Sequence, residues 1–121
     1  MNEKESIGVV NDQIGSPTYA ADLAEAIIQI IGSGKWQAGI YNYSNEGVIS
    51  WFDFANEIKR LIQSECKINA LTTEQFPTPA KRPKYSVLDK TKIQQTFSFE
   101  LKNWKESLKT CVEKIKTATS A

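Results

Sequence analysis

Apolar residues recur along this chain at two different spacings, and each change of spacing marks the edge of an element. Ile7-Gly8-Val9-Val10 is a short, β-branched run after the polar lead of residues 2–6; closed by the turn formers Asn11-Asp12, it predicts a brief strand. A loop over Gln13-Ile14-Gly15-Ser16-Pro17-Thr18 follows. Ala20, Leu23, Ala24, Ile27, Ile30 and Ile31 then fall at three- and four-residue steps, the period of a helix, with Thr18 or Ser16 placed to cap it and Gly32-Ser33-Gly34 to stop it. Gly39-Ile40-Tyr41-Asn42-Tyr43-Ser44 predicts a second strand, and Asn45-Glu46-Gly47 a turn. The next helix is the clearest. Trp51, Phe54, Ala55, Ile58, Leu61 and Ile62 make one apolar stripe expected in the core, and Ser50 with Asp53 forms a capping box in which aspartate replaces the usual glutamate.

The second half of the chain is more broken. Residues 66–71 alternate polar and apolar side chains, as a short strand does, and Thr73-Glu74-Gln75-Phe76 reads as one helical turn ended by Pro77. Prolines at 77, 79 and 83 remove backbone donors and push their predecessors to extended geometry, so Pro77-Thr78-Pro79-Ala80-Lys81-Arg82-Pro83-Lys84 is a loop. Asp89 is placed to cap a short helix through Gln95. Trp104, Leu108, Cys111, Val112 and Ile115 mark a last helix, with residues 117–121 expected to fray. No internal repeat or low-complexity segment interrupts the pattern. It predicts a small mixed α/β domain of about four helices and three short strands, whose sheet is too small to stand alone as a doubly wound domain.

Composition narrows the chemistry. The 121 residues are 40% hydrophobic and 24% charged, one ordinary globular domain large enough to bury roughly two thirds of its unfolded surface. Fifteen basic against fourteen acidic residues leave a net charge of +1, which argues against binding nucleic acid through bulk electrostatics. There is no histidine, which removes histidine-based triads and histidine-ligated zinc. Cys66 and Cys111 form no CxxC pair, and no N-terminal apolar stretch reads as a signal peptide, so a reducing cytoplasm is the expected compartment. The apolar patch around residues 26–31 is far short of the roughly 20 residues a membrane-spanning helix needs, so no membrane association is expected.

Two segments can carry chemistry. Where a strand stops at Asp12 and a helix starts near Thr18, backbone N–H groups and Gln13 face a cleft, and Gln13 can both donate to and accept from a sugar; the plain alternative is a connection shaped by Gly15 and Pro17. Lys81-Arg82-Pro83-Lys84 sets three cations on a proline-stiffened loop, where Arg82 can present a bidentate fork to a phosphate or simply decorate the surface. Asp22 and Asp53 are read as first-turn anion and cap, and Cys111 as a small buried hydrophobe. Gly32 and Gly34 do not open a GxGxxG motif, because Trp36 and Gln37 follow where a third glycine is needed.

Taken in order, Val9-Val10-Asn11-Asp12-Gln13-Ile14-Gly15-Ser16-Pro17-Thr18-Tyr19, Asp22-Leu23-Ala24, Gly39-Ile40-Tyr41, Ser50-Trp51-Phe52-Asp53-Phe54-Ala55, and Pro79-Ala80-Lys81-Arg82-Pro83 with Ser86-Val87-Leu88-Asp89 resemble the C-terminal part of the dTDP-4-dehydrorhamnose reductases. Trp104 and Leu108 fit the WxxxL pattern that closes such chains. These belong to the extended short-chain dehydrogenase/reductases. The resemblance implies reduction of the C4 keto group of dTDP-4-dehydro-L-rhamnose by NADPH or NADH. It also implies an N-terminal Rossmann domain with GxxGxxG and a Tyr-x-x-x-Lys pair. Neither is in this sequence, where no tyrosine has a lysine four residues on.

The resemblance therefore makes residues 1–121 a substrate-binding portion, inactive alone and needing the Rossmann domain as partner. It places Gln13, Gly15, Ser16, Pro17 and Thr18 on a loop over the sugar, and Arg82, Pro83 and Ser86 near the diphosphate. It assigns no catalytic, cofactor or metal residue to this chain. Asn42 stands where many relatives have histidine after the tyrosine of the GIY strand, and residues 40–41 are the likeliest strand to border a larger sheet. Its exposed edge makes a homodimer an expectation. Two other readings keep the fold: a non-catalytic regulatory homologue of the type that partners methionine adenosyltransferase, and a free-standing nucleotide-sugar binding module.

Overall fold

A computed structural model describes residues 5–35 and 37–120; residues 2–4 of the polar lead, Trp36 and Ala121 lie outside the described residues. Eight elements follow in the order β1 (Ser6–Val10), β2 (Ile14–Gly15), α1 (Ala20–Gly32), β3 (Ile49–Ser50), α2 (Trp51–Ile62), β4 (Lys67–Leu71), α3 (Thr91–Phe97) and α4 (Trp104–Ser120). The mixed α/β expectation holds, but the strands pair in two separate small sheets. β1 and β4 run parallel from Ser6 opposite Lys67 to Val10 opposite Leu71, and β2 lies antiparallel to β3.

The core forms where α2 lies on α4. Trp104, Leu108 and Val112 are buried on α4, with Ile49, Phe54, Ile58, Leu61 and Ile62 packed against them. The predicted capping box starts α2: the Ser50 hydroxyl accepts from the Asp53 N–H at 3.1 Å while the Asp53 carboxylate accepts from the Ser50 N–H. At the other end Gln63 takes the left-handed conformation, and the Lys116 ammonium donates to the Leu61 carbonyl at 2.9 Å, tying α4 to the end of α2.

Four expectations need correction. Residues 39–44 form no strand. No described strand pairs with them; Ile40 is 86% exposed and Tyr41 leans on Phe97 with ring centroids 5.3 Å apart. Neither Ser16 nor Thr18 caps α1. The cap residue is Tyr19, whose N–H donates to the Asn45 side-chain oxygen at 2.7 Å, while the Ser16 hydroxyl donates instead to the Gly47 carbonyl. Asp89 does accept from the Thr91 N–H at 2.9 Å, but the cap residue of α3 is Lys90, and the helix continues past Gln95 to Phe97. α4 likewise continues through residues 117–120, where the Thr117 hydroxyl donates to the Glu113 carbonyl four residues back.

The largest departure is α1, which buries a carboxylate and leaves most of its aliphatic side chains outside. Asp22 and Ala26 are its buried residues, whereas Leu23, Ile27, Ile28 and Ile31 are exposed. Asp22 does sit in the first turn, but its carboxylate is a buried hub. It accepts from the Asn45 amide at 2.8 Å and from the Ser107 hydroxyl, and lies 3.7 Å from the Lys102 ammonium. Asn45 is itself 1% exposed, so one side chain bridges the start of α1 to Asp22 and, through it, to α4.

Burial pushes the Asp22 carboxyl up, but the bonds from Ser107 and Asn45 and the Lys102 charge outweigh it, leaving it below its ordinary 3.8. A carboxyl lowered on folding contributes stability above its unfolded pKa and loses it as pH falls through the folded value. Asp22→Asn is therefore expected to cost about 1–3 kcal/mol at neutral pH. In urea titrations the gap from the native chain should narrow as pH falls below about 4; a gap of unchanged size at low pH would refute the role given to the charge.

Candidate functional site

The site is built where the chain leaves the parallel sheet. The Asn11 N–H donates to the Leu71 carbonyl at 2.9 Å, extending the β1–β4 ladder by one bond. Asp12 then turns aside: its carboxylate accepts from the Thr73 N–H at 3.0 Å and the Thr73 hydroxyl at 2.7 Å, bonds that hold the carboxyl below its usual range. It is therefore ionised at neutral pH and engaged in holding the turn at Thr73.

β2 comes next, and both its sides are paired. On one side Ile14 lies opposite Ser50 of β3. On the other the Ile14 N–H donates to the Lys84 carbonyl at 2.7 Å and the Ile14 carbonyl accepts from the Ser86 N–H at 2.8 Å, a parallel bridge to Tyr85. The proline-rich loop is thus ordered at its end by backbone bonds to a residue some seventy positions earlier. Gly15 is needed at this crossing, because a Cβ there would come 2.8 Å from the Ser86 hydroxyl.

The result is a cavity of about 290 Å³. Gln13, Gly15, Ser16, Pro17 and Thr18 line one part of it, and Arg82, Pro83 and Ser86 another, so the structure brings all eight sequence-selected residues to one place. Gln13 points its amide toward the Thr73 hydroxyl at 3.4 Å. Arg82 is exposed and makes no ion pair among the described residues.

Other lining residues escape the sequence reading. Ile14, Ser44, Ile49, Ser50, Trp51, Phe54 and Leu88 complete the wall. Trp51 is expected in the core as part of the α2 stripe, yet it is 51% exposed, because as the first residue of the helix its ring projects past the end of the packed stripe. Its place directly after the cap Ser50 is the signal that could have separated it from Phe54 and Ile58. Pro17, Thr18 and Phe54 also line a second, more apolar cavity of about 310 Å³ that reaches Trp104, Leu108 and Cys111.

The chemistry of the first cavity is narrow. Arg82 is the one ionisable side chain in its wall; the rest are hydroxyls, an amide, backbone and apolar groups. Such a wall binds and orients, but it holds no base, acid or nucleophile of suitable pKa for proton or acyl transfer. Among the described residues no three His, Cys, Asp or Glu side chains converge as metal ligands. No described strand-to-helix turn has the glycine-rich form that cradles a dinucleotide pyrophosphate, so these residues do not fit a nicotinamide cofactor.

Comparison with known proteins agrees with this division. Residues 1–117 match the family model described as the RmlD substrate binding domain. A dTDP-4-dehydrorhamnose reductase of Aggregatibacter actinomycetemcomitans is 41% identical over 116 residues, covering 88% of this chain and 40% of that protein. The crystal structure of a dTDP-4-dehydrorhamnose reductase from Clostridium acetobutylicum superposes with a TM-score of 0.84 at 39% identity, over 93% of this chain and 39% of that one. A third, from Bacillus anthracis and in complex with NADP, gives 0.80 at 38% identity over 88% of this chain and 37% of its own. The chain thus spans about two fifths of the length of the relatives it matches. With a family match over nearly all its residues and a shared fold at this level of identity, the chain belongs to the RmlD substrate-binding domain family.

Proposed function

We propose that this chain is the substrate-binding portion of a dTDP-4-dehydrorhamnose reductase. In that reading it holds dTDP-4-dehydro-L-rhamnose while the C4 carbonyl is reduced to give dTDP-L-rhamnose in the cytoplasm. One observation carries the reading: two segments far apart in sequence wall a single cavity whose one charged group is an unpaired arginine. A dianionic diphosphate suits Arg82, a planar and permanently charged fork. Hydroxyls of the sugar suit the amide of Gln13, the hydroxyls of Ser16 and Thr18 and the backbone at Gly15, with Pro17 setting the shape of that loop. Pro83 and Ser86 hold the arginine loop against β2.

What this chain does in the reaction is to bind, orient and exclude water. Hydride and proton come from a second, dinucleotide-binding domain, which supplies NADPH or NADH. Two features support such a partner. α1 exposes Leu23, Ile27, Ile28 and Ile31 while only Asp22 and Ala26 are buried, and Ile40 stands open a few residues further along the chain. A two-stranded parallel sheet is also far below the size at which such sheets are stable alone.

In an NMR titration with dTDP, shifts are expected at residues 13–18 and 82–86, and Arg82→Ala should weaken binding about tenfold or more. A folded chain that shows no shift at millimolar dTDP would overturn the reading. The chain alone at high concentration is expected to associate through the face of α1, giving a light-scattering mass above that of the monomer, and Ile27→Glu with Ile31→Glu to reverse it. A monomeric native chain under those conditions would count against an interface on that face.

A further inference from the structure

Lys90 is buried where a lysine has little reason to be. Its side chain is only 9% exposed, although it stands as the cap residue of α3, at the end of the segment that brings Arg82, Ser86 and Leu88 to the cavity. Burying it freezes a long, mobile stem and takes a strongly hydrated ammonium out of water, so its partners must compensate. The ammonium donates to the Asn45 carbonyl at 3.2 Å and lies 3.1 Å from the Glu46 carboxylate. Both partners belong to the turn over residues 45–47.

That turn holds the other wall. The Asn45 side-chain oxygen accepts from the Tyr19 N–H at 2.7 Å, and the Gly47 carbonyl accepts from the Ser16 hydroxyl. The turn is itself anchored at the start of α4, where the Glu46 N–H donates to the Lys102 carbonyl and the Glu46 carbonyl accepts from the Trp104 N–H, both at 2.9 Å. Lys90 therefore ties the arginine segment to the residue 13–18 loop at a second place, besides the backbone bonds of Ile14. It does not line the cavity, so it acts on a ligand there only through the walls. We infer that Lys90 is a positioning residue that fixes the gap between the two walls, an inference that rests on reading the cavity as a nucleotide-sugar site. A ligand that spans both walls depends on that gap, whereas one that meets Arg82 alone does not.

The test compares the native chain with Lys90→Met, which keeps the apolar stem but drops the ammonium, and with Lys90→Arg, which restores a cation. Calorimetry with dTDP-rhamnose and with inorganic diphosphate reads the effect. Lys90→Met should raise the Kd for dTDP-rhamnose about tenfold, and Lys90→Arg should recover most of that loss. Neither should change the affinity for inorganic diphosphate. Unchanged dTDP-rhamnose binding in Lys90→Met overturns the inference. So does an equal loss for both ligands, which makes Lys90 a structural support, or a loss that Lys90→Arg leaves in full. If Lys90→Met does not fold, Glu46→Gln takes its place, because it removes the ion pair and leaves the lysine; the loss expected for dTDP-rhamnose alone is then about threefold, and no loss overturns the inference. A native chain that does not bind dTDP-rhamnose fails at the earlier step and overturns the nucleotide-sugar reading itself.

Discussion

The backbone of Ile14 is paired on both of its edges, and the cavity exists because of it. One edge is joined to β3, which leads directly into α2 and the core; the other is joined to Lys84 and Ser86, at the end of the proline-rich loop. A buried backbone group left without a partner costs about as much as a lost hydrogen bond, so each of these bonds is strongly specified. Past the prolines at 77, 79 and 83, which carry no backbone donors, the Lys84 carbonyl and the Ser86 N–H make the connection. The arginine loop meets the residue 13–18 loop along this ladder, and the missing side chain of Gly15 leaves room for the Ser86 hydroxyl.

A second constraint fixes the far end of the same loop. Asn45 holds the Tyr19 N–H and donates to Asp22, while Ser16 bonds the Gly47 carbonyl, so one turn over residues 45–47 clamps the loop where it enters α1. Gly47 has φ 139° and lies where any Cβ would run into the Trp104 indole, so the clamp is pressed against the core. Asp22 adds Ser107 of α4 to this cluster. With Asp22 and Ala26 turned to the body, α1 presents Leu23, Ile27, Ile28 and Ile31 outward.

The site and the core therefore share parts. Phe54 packs against Trp104 below and braces Trp51 above, and Ser50 both caps α2 and pairs with Ile14. A wall made this way is rigid, because the rotamers of its members are set by packing.

Much of the fold is legible along the chain. The capping box of α2 and the helical period of α4 depend on residues close together in sequence, which by itself determines them, and it marks β1 and β4 as strands, although their pairing with each other joins residues 61 positions apart. The family resemblance also singles out the loop residues that meet at the cavity, though not why they meet. What only the tertiary structure decided has long-range causes. The cap of α1 comes from Asn45 across 26 positions, the pairing of Ile14 with the residue 84–86 segment spans some seventy, and residues 39–44 pair with no described strand. The inward turn of Asp22 and the outward turn of Trp51 belong to the same class. Local periodicity says which side of an element is apolar, but the direction that side faces depends on what the rest of the chain places opposite it.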